Sequence, residues 1–128
     1  MASKDLYNNI GIVQAVAPQV LTATNTSSGV DLAGFESATV VISTGAIVAS
    51  GNFTPKLQDS ADNSTFADVA AADLIGSFPS ALAATTVYKV GYKGSKRYVR
   101  SVLTLNSGTS IAASVDVVRA HARSKPVA

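Results

Sequence analysis

Ala38-Thr39-Val40-Val41-Ile42-Ser43-Thr44 carries a β-branched side chain at five of its seven positions. Branching at Cβ restricts χ1 and lowers helix propensity, while it suits a pleated surface packed by neighbouring strands. An unbroken run of this kind reads as a buried strand. To its C-terminal side, Phe53 to Gln58 alternates: Phe53, Pro55 and Leu57 fall on one face, Thr54, Lys56 and Gln58 on the other. That is the period of a half-buried strand. Pro55 inside it predicts an edge strand or a bulge, because proline cannot donate to a ladder. Asp59 to Ser64 reads as a turn, and Phe66 to Val69 as the returning partner of that hairpin.

On the N-terminal side, residues 1–9 are polar and predict a flexible arm. Ile10, Ile12 and Val16 give a weak strand that Pro18 is expected to break, with Val20 to Thr24 as a second short strand. Asn25 to Gly29 is rich in turn residues. Gly45 and Gly51 are expected to bracket a small loop, Ala46 to Ser50. Residues 70–84 are rich in alanine but cut by Gly76 and Pro79, which predicts a short helical turn or an ordered loop.

The last third predicts three more strands. Thr86 to Tyr92 sets Tyr88, Val90 and Tyr92 on one face. Arg97 to Leu105 alternates Val99, Ser101, Leu103 and Leu105 against Tyr98, Arg100, Val102 and Thr104. Ile111 to Arg119 turns Ile111, Ala113, Val115 and Val117 inward. Seven or eight short strands separated by turn signals predict an all-β fold, an antiparallel β-sandwich or jelly roll. Val40, Ile42, Leu57, Val90, Val99, Leu103, Val115 and Val117 are the predicted core. The expected organisation is an N-terminal arm over 1–9, a sandwich domain over 10–123 and a C-terminal tail over 124–128.

The chain has 128 residues, enough for one domain with a real core. Only 14% are charged, against roughly 25% in an average soluble protein. A surface of small uncharged side chains suits a protein packed among others; chance in a short chain also produces it. Residues 1–88 hold two basic and seven acidic side chains, a net of −5; residues 89–128 hold eight basic and one acidic, a net of +7. Such asymmetry steers an acidic partner if it survives folding, and disappears if strands from the two halves interleave. The N-terminus shows no hydrophobic signal core and no run approaches a membrane span, so the chain is expected to be made in the cytoplasm and stay soluble.

Catalytic constellations are sparse. There is no cysteine and one histidine, His121, which leaves no obvious nucleophile–base pair and no usual zinc ligand set. The chain is therefore expected not to be an enzyme, and no cofactor is implied. Asp59, Asp62 and Asp68 surround a turn that they stabilise or, alternatively, at which they ligate calcium. Gly91 to Lys96 lacks the spacing of a phosphate loop. Tyr88, Tyr92 and Tyr98 lie among Lys89, Lys93, Lys96, Arg97 and Arg100. That interleaving suits stacking on nucleic acid, and equally suits a packed tyrosine set beside a lysine-guarded sheet edge.

Three stretches, taken in order, carry a resemblance. They are Val30-Asp31-Leu32-Ala33-Gly34-Phe35-Glu36-Ser37-Ala38, Gly51-Asn52-Phe53-Thr54-Pro55-Lys56-Leu57-Gln58-Asp59-Ser60, and Lys96-Arg97-Tyr98-Val99-Arg100. They resemble small virion proteins of tailed bacteriophages. The resemblance implies a decoration, or cement, protein on the capsid surface of the virion. Its partner would be the major capsid protein, bound as a homo-oligomer or in repeated copies. The expected binding residues are Leu6 and Tyr7 of the arm together with Lys93, Lys96, Arg97, Arg100 and Arg119. The stretch from Leu57 to Val69 with the later Lys96–Arg100 strand also resembles discoidin-type sugar-binding jelly rolls. That implies, as the alternative, a carbohydrate-binding adhesion module on a head spike or tail fibre, with Phe35, Phe78 and Tyr92 as candidate stacking rings.

Overall fold

The computed structural model describes residues 7–122. It is an antiparallel β-sandwich. A one-turn 3-10 helix, Tyr7–Asn9, leads into β1 (Ile10–Leu21). Two short strands follow, β2 (Asn25–Thr26) and β3 (Val30–Asp31). Then come β4 (Phe35–Val48), β5 (Asn52–Ser60) and β6 (Ala67–Asp68). A second 3-10 turn, Ala71–Asp73, precedes β7 (Leu74–Ile75), β8 (Val87–Tyr92), β9 (Tyr98–Ser107) and β10 (Ser110–Ala122).

The first sheet has the order β1-β10-β4-β8-β7, and the second β2-β9-β5-β6 with β3 also on β9. The pairs are nested. The first long strand pairs with the last, β2 and β3 pair with β9, β4 with β8, and β5 with β6. A long hairpin wrapped around itself in this way is a jelly roll. The nesting also interleaves the acidic and basic halves of the chain. β10 lies between β1 and β4, and β9 between β2 and β5.

Alternation sets the core. All eight predicted core residues are buried, none more than 2% exposed. All but Val90 join Phe53, Ile111, Leu21 and Leu82 in a single apolar cluster between the sheets. Each fully buried aliphatic or aromatic side chain of this kind stabilises the fold by roughly 1.5–3 kcal/mol.

Two expectations of local structure are corrected. Pro18 does not break the first strand: β1 runs through it, and its pairing with β10 shifts register between Gln14 and Val16 and again between Val16 and Gln19. β1 is an edge strand, so the bulge around Pro18 leaves its missing N–H on the open side. The loop expected over Ala46–Ser50 shrinks to Ala49 and Ser50, since β4 continues to Val48. Both residues take positive φ, 49° and 58°, and Gly51 N–H donates to the Val48 carbonyl at 3.2 Å. That tight reversal carries the chain from the first sheet to the second. Pro55 sits where β5 has no strand on its outer side, because β6 pairs only with Gln58 and Asp59. Within 70–84 the chain is ordered loop with one helical turn and the two-residue β7.

Residues 7–9 of the expected arm form the first 3-10 turn against the sandwich. Leu6, with the rest of residues 1–6 and the tail 124–128, lies outside the described residues.

Candidate partner-binding surface

The loop joining β8 to β9 and the segment between β3 and β4 meet at one end of the sandwich. Between them lies a cleft of about 530 Å³, lined by Leu32, Phe35, Ser37, Ser95, Lys96 and Arg97 among others. Two of the sequence-predicted binding residues, Lys96 and Arg97, therefore line one wall, and Phe35 lines the facing one. Lys93 stands exposed at the start of the same loop, its N–H held by the Asp73 carbonyl at 2.8 Å.

The loop is anchored from below by Tyr92. Its hydroxyl donates to Asp59 Oδ2 at 2.8 Å and accepts from the Lys96 N–H at 3.1 Å. Burial first, and then the Asp59 carboxylate, push the phenol well above its ordinary titration range. Gly94 lets the loop close over this ring; a Cβ there would stand 2.5 Å from the Tyr92 hydroxyl oxygen.

Arg97 is not a free cation. Its Nε and one terminal nitrogen each donate to Asp31, both at 2.9 Å. That bidentate contact, with the Ala33 N–H on the same carboxylate at 2.9 Å, lowers the Asp31 carboxyl to about 2. Arg119 points between the sheets rather than outward. Its guanidinium lies over the Phe35 ring at 4.4 Å and donates to the Asp31 carbonyl at 3.2 Å. Cation–π stacking of this kind orients the ring at the edge of the cleft. Arg100 lies away from the cleft, on the outer face of the second sheet, where it donates to Gln58 at 2.8 Å and covers the Phe66 ring at 4.1 Å. The candidate basic residues thus divide. Lys93 and Lys96 are exposed; Arg97, Arg100 and Arg119 are engaged by partners within the fold. Tyr7 begins the first 3-10 turn.

Other candidates resolve in the same way. Asp62 accepts the N–H groups of Ser64 and Thr65, both at 3.0 Å, and the Ser60 hydroxyl at 2.8 Å, so it closes the turn it was expected to stabilise. Asp68 contacts Gln58 and Lys56, and Asp59 contacts Tyr92. The three carboxylates face different partners. Among the described residues no group of three or more His, Asp or Glu side chains is placed to hold a metal ion. His121 Nδ1 lies 2.7 Å from the Ser37 hydroxyl at the rim of the cleft. Tyr92 is buried and unavailable for stacking on a ligand, whereas Phe35 and Phe78 are half-buried. The roles of Asp31 and Ser37 were not legible in the sequence, since their partners lie 66 and 84 positions away.

The fold places the chain in the jelly-roll class of β-sandwiches. No protein-family model matches it, and no curated protein matches it in sequence. Among solved structures it is similar to the PBSX exported protein XepA, with 18% identity and a TM-score of 0.57 over 99% of this chain and 42% of that one. It is also similar to the SPBc2 prophage-derived protein YomS, with 14% identity and a TM-score of 0.51 over 86% of this chain and 93% of that one. A chain in the structure of infectious bursal disease virus, Gx strain, is similar with 14% identity and a TM-score of 0.51, over 91% of this chain and 34% of that one. This chain therefore spans less than half of XepA and of the viral chain, and nearly all of YomS. At such identities the likeness is one of fold.

Proposed function

We propose that this chain is a structural, non-enzymatic component of a tailed-bacteriophage particle, coating the capsid surface in repeated copies by binding the major capsid protein. The observation that carries this reading is the near full-length correspondence of its jelly roll with prophage-derived proteins, one of which it matches over nearly that protein's whole length. The three sequence stretches that resemble small phage virion proteins point the same way. A cross-sheet core gives a rigid body, and small uncharged side chains permit close contact over a broad area. Lys93 and Lys96 supply an exposed positive loop that speeds encounter with an acidic capsid surface, while apolar burial supplies most of the affinity.

The test is co-sedimentation of the purified chain with phage heads that lack it. Saturable binding of many copies per head, slowed by Lys93→Glu with Lys96→Glu and weakened by salt, is the expected result. No binding to heads at any salt concentration contradicts it.

One observation favours a second reading. Phe35 is braced by Arg119 on one face and borders a cleft that also holds Ser95 and Lys96. An aromatic face beside hydroxyl and ammonium donors suits a sugar ring, as in an adhesion module of a spike or fibre. Glycan-array hits that vanish in Phe35→Ala, together with no head binding, would select this reading over the first.

A further inference from the structure

The two outer faces of the sandwich differ in chemistry. The second sheet presents Lys56, Gln58, Asp68 and Arg100, joined by ion pairs and hydrogen bonds. The first sheet presents exposed apolar side chains interspersed with Asp116 and Lys89. Among the described residues the large apolar side chains that stay exposed are Ile12, Val20, Val48, Ile75 and Val87, between 53% and 68%. By strand register, all five lie on the outer face of the first sheet. Ile12 is opposite Val118, Val20 opposite Ala112, Val87 opposite Ser43, and Ile75 opposite Gly91. Val48 has the same parity, one position beyond the inward Ile47. Large apolar side chains left exposed together on one face of a sheet are a candidate interaction surface.

The pattern of this face selects its occupant. β4 is the middle strand of five. One register row across it reads Gln14, Asp116, Val41, Lys89, and the adjacent row reads Ile12, Val118, Thr39, Gly91, Ile75. Asp116 and Lys89 thus flank Val41 at equal distance, one strand to either side. The ion pairs among the described residues join Lys56 to Asp68 and Arg97 to Asp31, so neither Asp116 nor Lys89 has an ionic partner there. A two-fold axis laid along β4 between two such faces exchanges left and right. It sets Lys89 of each copy against Asp116 of the other, Ile12 against Ile75, and Val41 against Val41. A face complementary to its own rotated image is what an isologous contact requires. Ile75 leans over Gly91, where a Cβ would stand 3.1 Å from the isoleucine Cβ, and this keeps that side of the face filled.

We infer that the outer face of the first sheet is a self-association surface, on which a second copy of this chain packs about a two-fold axis along β4, with Val41 at its centre and two Lys89–Asp116 pairs beside it. The inference stands apart from capsid binding, because the purified chain tests it with no particle present. It also leaves the cleft and the loop with Lys93 and Lys96 free for another partner, since they lie at the end of the sandwich.

The experiment is sedimentation velocity of the full chain over a range of concentration reaching tens of micromolar. The expected result is concentration-dependent pairing that Val41→Asp abolishes while the circular dichroism spectrum is unchanged. Lys89→Glu alone and Asp116→Lys alone should each weaken pairing by roughly tenfold or more, since each sets like charges together twice. The double variant should restore it to within a few-fold. A wild-type chain that stays monomeric throughout overturns the inference. So does an assembly that Val41→Asp leaves intact, or one that the single exchanges weaken and the double exchange does not restore.

Discussion

Tyr92 on β8 donates its hydroxyl hydrogen to Asp59 Oδ2 on β5 at 2.8 Å, tying the first sheet to the second at the end of the sandwich that bears the cleft. The ring is 4% exposed, so the contact works in a medium poorer than water at solvating either group. The same oxygen holds the Lys96 N–H, so the tie between sheets is also the floor of the loop that carries Lys93 and Lys96.

Tyr92→Phe keeps the ring and removes the tie. It leaves Asp59 and the Lys96 N–H without their partner, which costs about 1–3 kcal/mol. Urea unfolding should show a lower midpoint with an unchanged slope. A midpoint equal to that of the original chain would mean that the hydroxyl contributes nothing to joining the sheets.

Acid should destabilise the fold in a defined window. Asp31 is lowered from an ordinary 3.8 to about 2, first by Arg97 and then by the Ala33 N–H. Asp62 is lowered to about 2, first by the Thr65 N–H, then by the Ser60 hydroxyl and the Ser64 N–H. Both carboxyls bind protons more readily in the unfolded chain, so their stabilisation is present above the ordinary carboxylate value and lost as pH falls from there through about 2. Both are solvent-exposed, so the loss is modest. Urea midpoints measured at neutral pH and at steps down the acid range should hold steady and then drop within that window, and Asp31→Asn should flatten part of the drop. A midpoint that does not move there refutes the assignment.

Val115 is fully buried and faces Ile42 across the β10–β4 pair. Val115→Asp places a charge with no partner in that core and should destabilise by about 4 kcal/mol or more. Thermal unfolding followed by circular dichroism measures it; a melting temperature within a few degrees of the original would contradict the placement of β10.

How far the fold was legible follows from these residues. Val40, Ile42, Val115 and Val117 announce their strands because a two-residue period with β-branching admits few other structures. β2, β3, β6 and β7 are two residues long and have no period to read. Pro18 misleads because its cost depends on whether β1 is an edge strand, which is a matter of sheet order. The site was less legible than the fold. Lys96 and Arg97 were marked by charge, but whether a cation is free depends on distant partners. Arg97 meets Asp31, Arg119 meets Phe35, and Arg100 meets Gln58 only once β9 and β10 are inserted among earlier strands. The apolar outer face of the first sheet was hidden for the same reason: Ile12, Ile75 and Val87 are isolated in sequence and come to share a face only through register.

Docking should depend on the exposed cations and not on the engaged ones. Lys93→Glu with Lys96→Glu should slow association with heads and reduce its salt dependence, while leaving the urea midpoint in place. Arg97→Gln should lower the urea midpoint only slightly, because its ion pair with Asp31 is exposed. Removal of residues 1–9 should lower occupancy on heads. Binding of the doubly reversed and truncated forms at the original rate and level would show that both contacts are wrongly assigned.

The most direct measurement is a reconstruction of the intact particle with this chain located in it. Jelly-roll density in many copies on the outer capsid surface is the expected result, with the loop bearing Lys93 and Lys96 toward the major capsid protein. The chain found only at the tail tip or on a fibre, or absent from the particle, would contradict it.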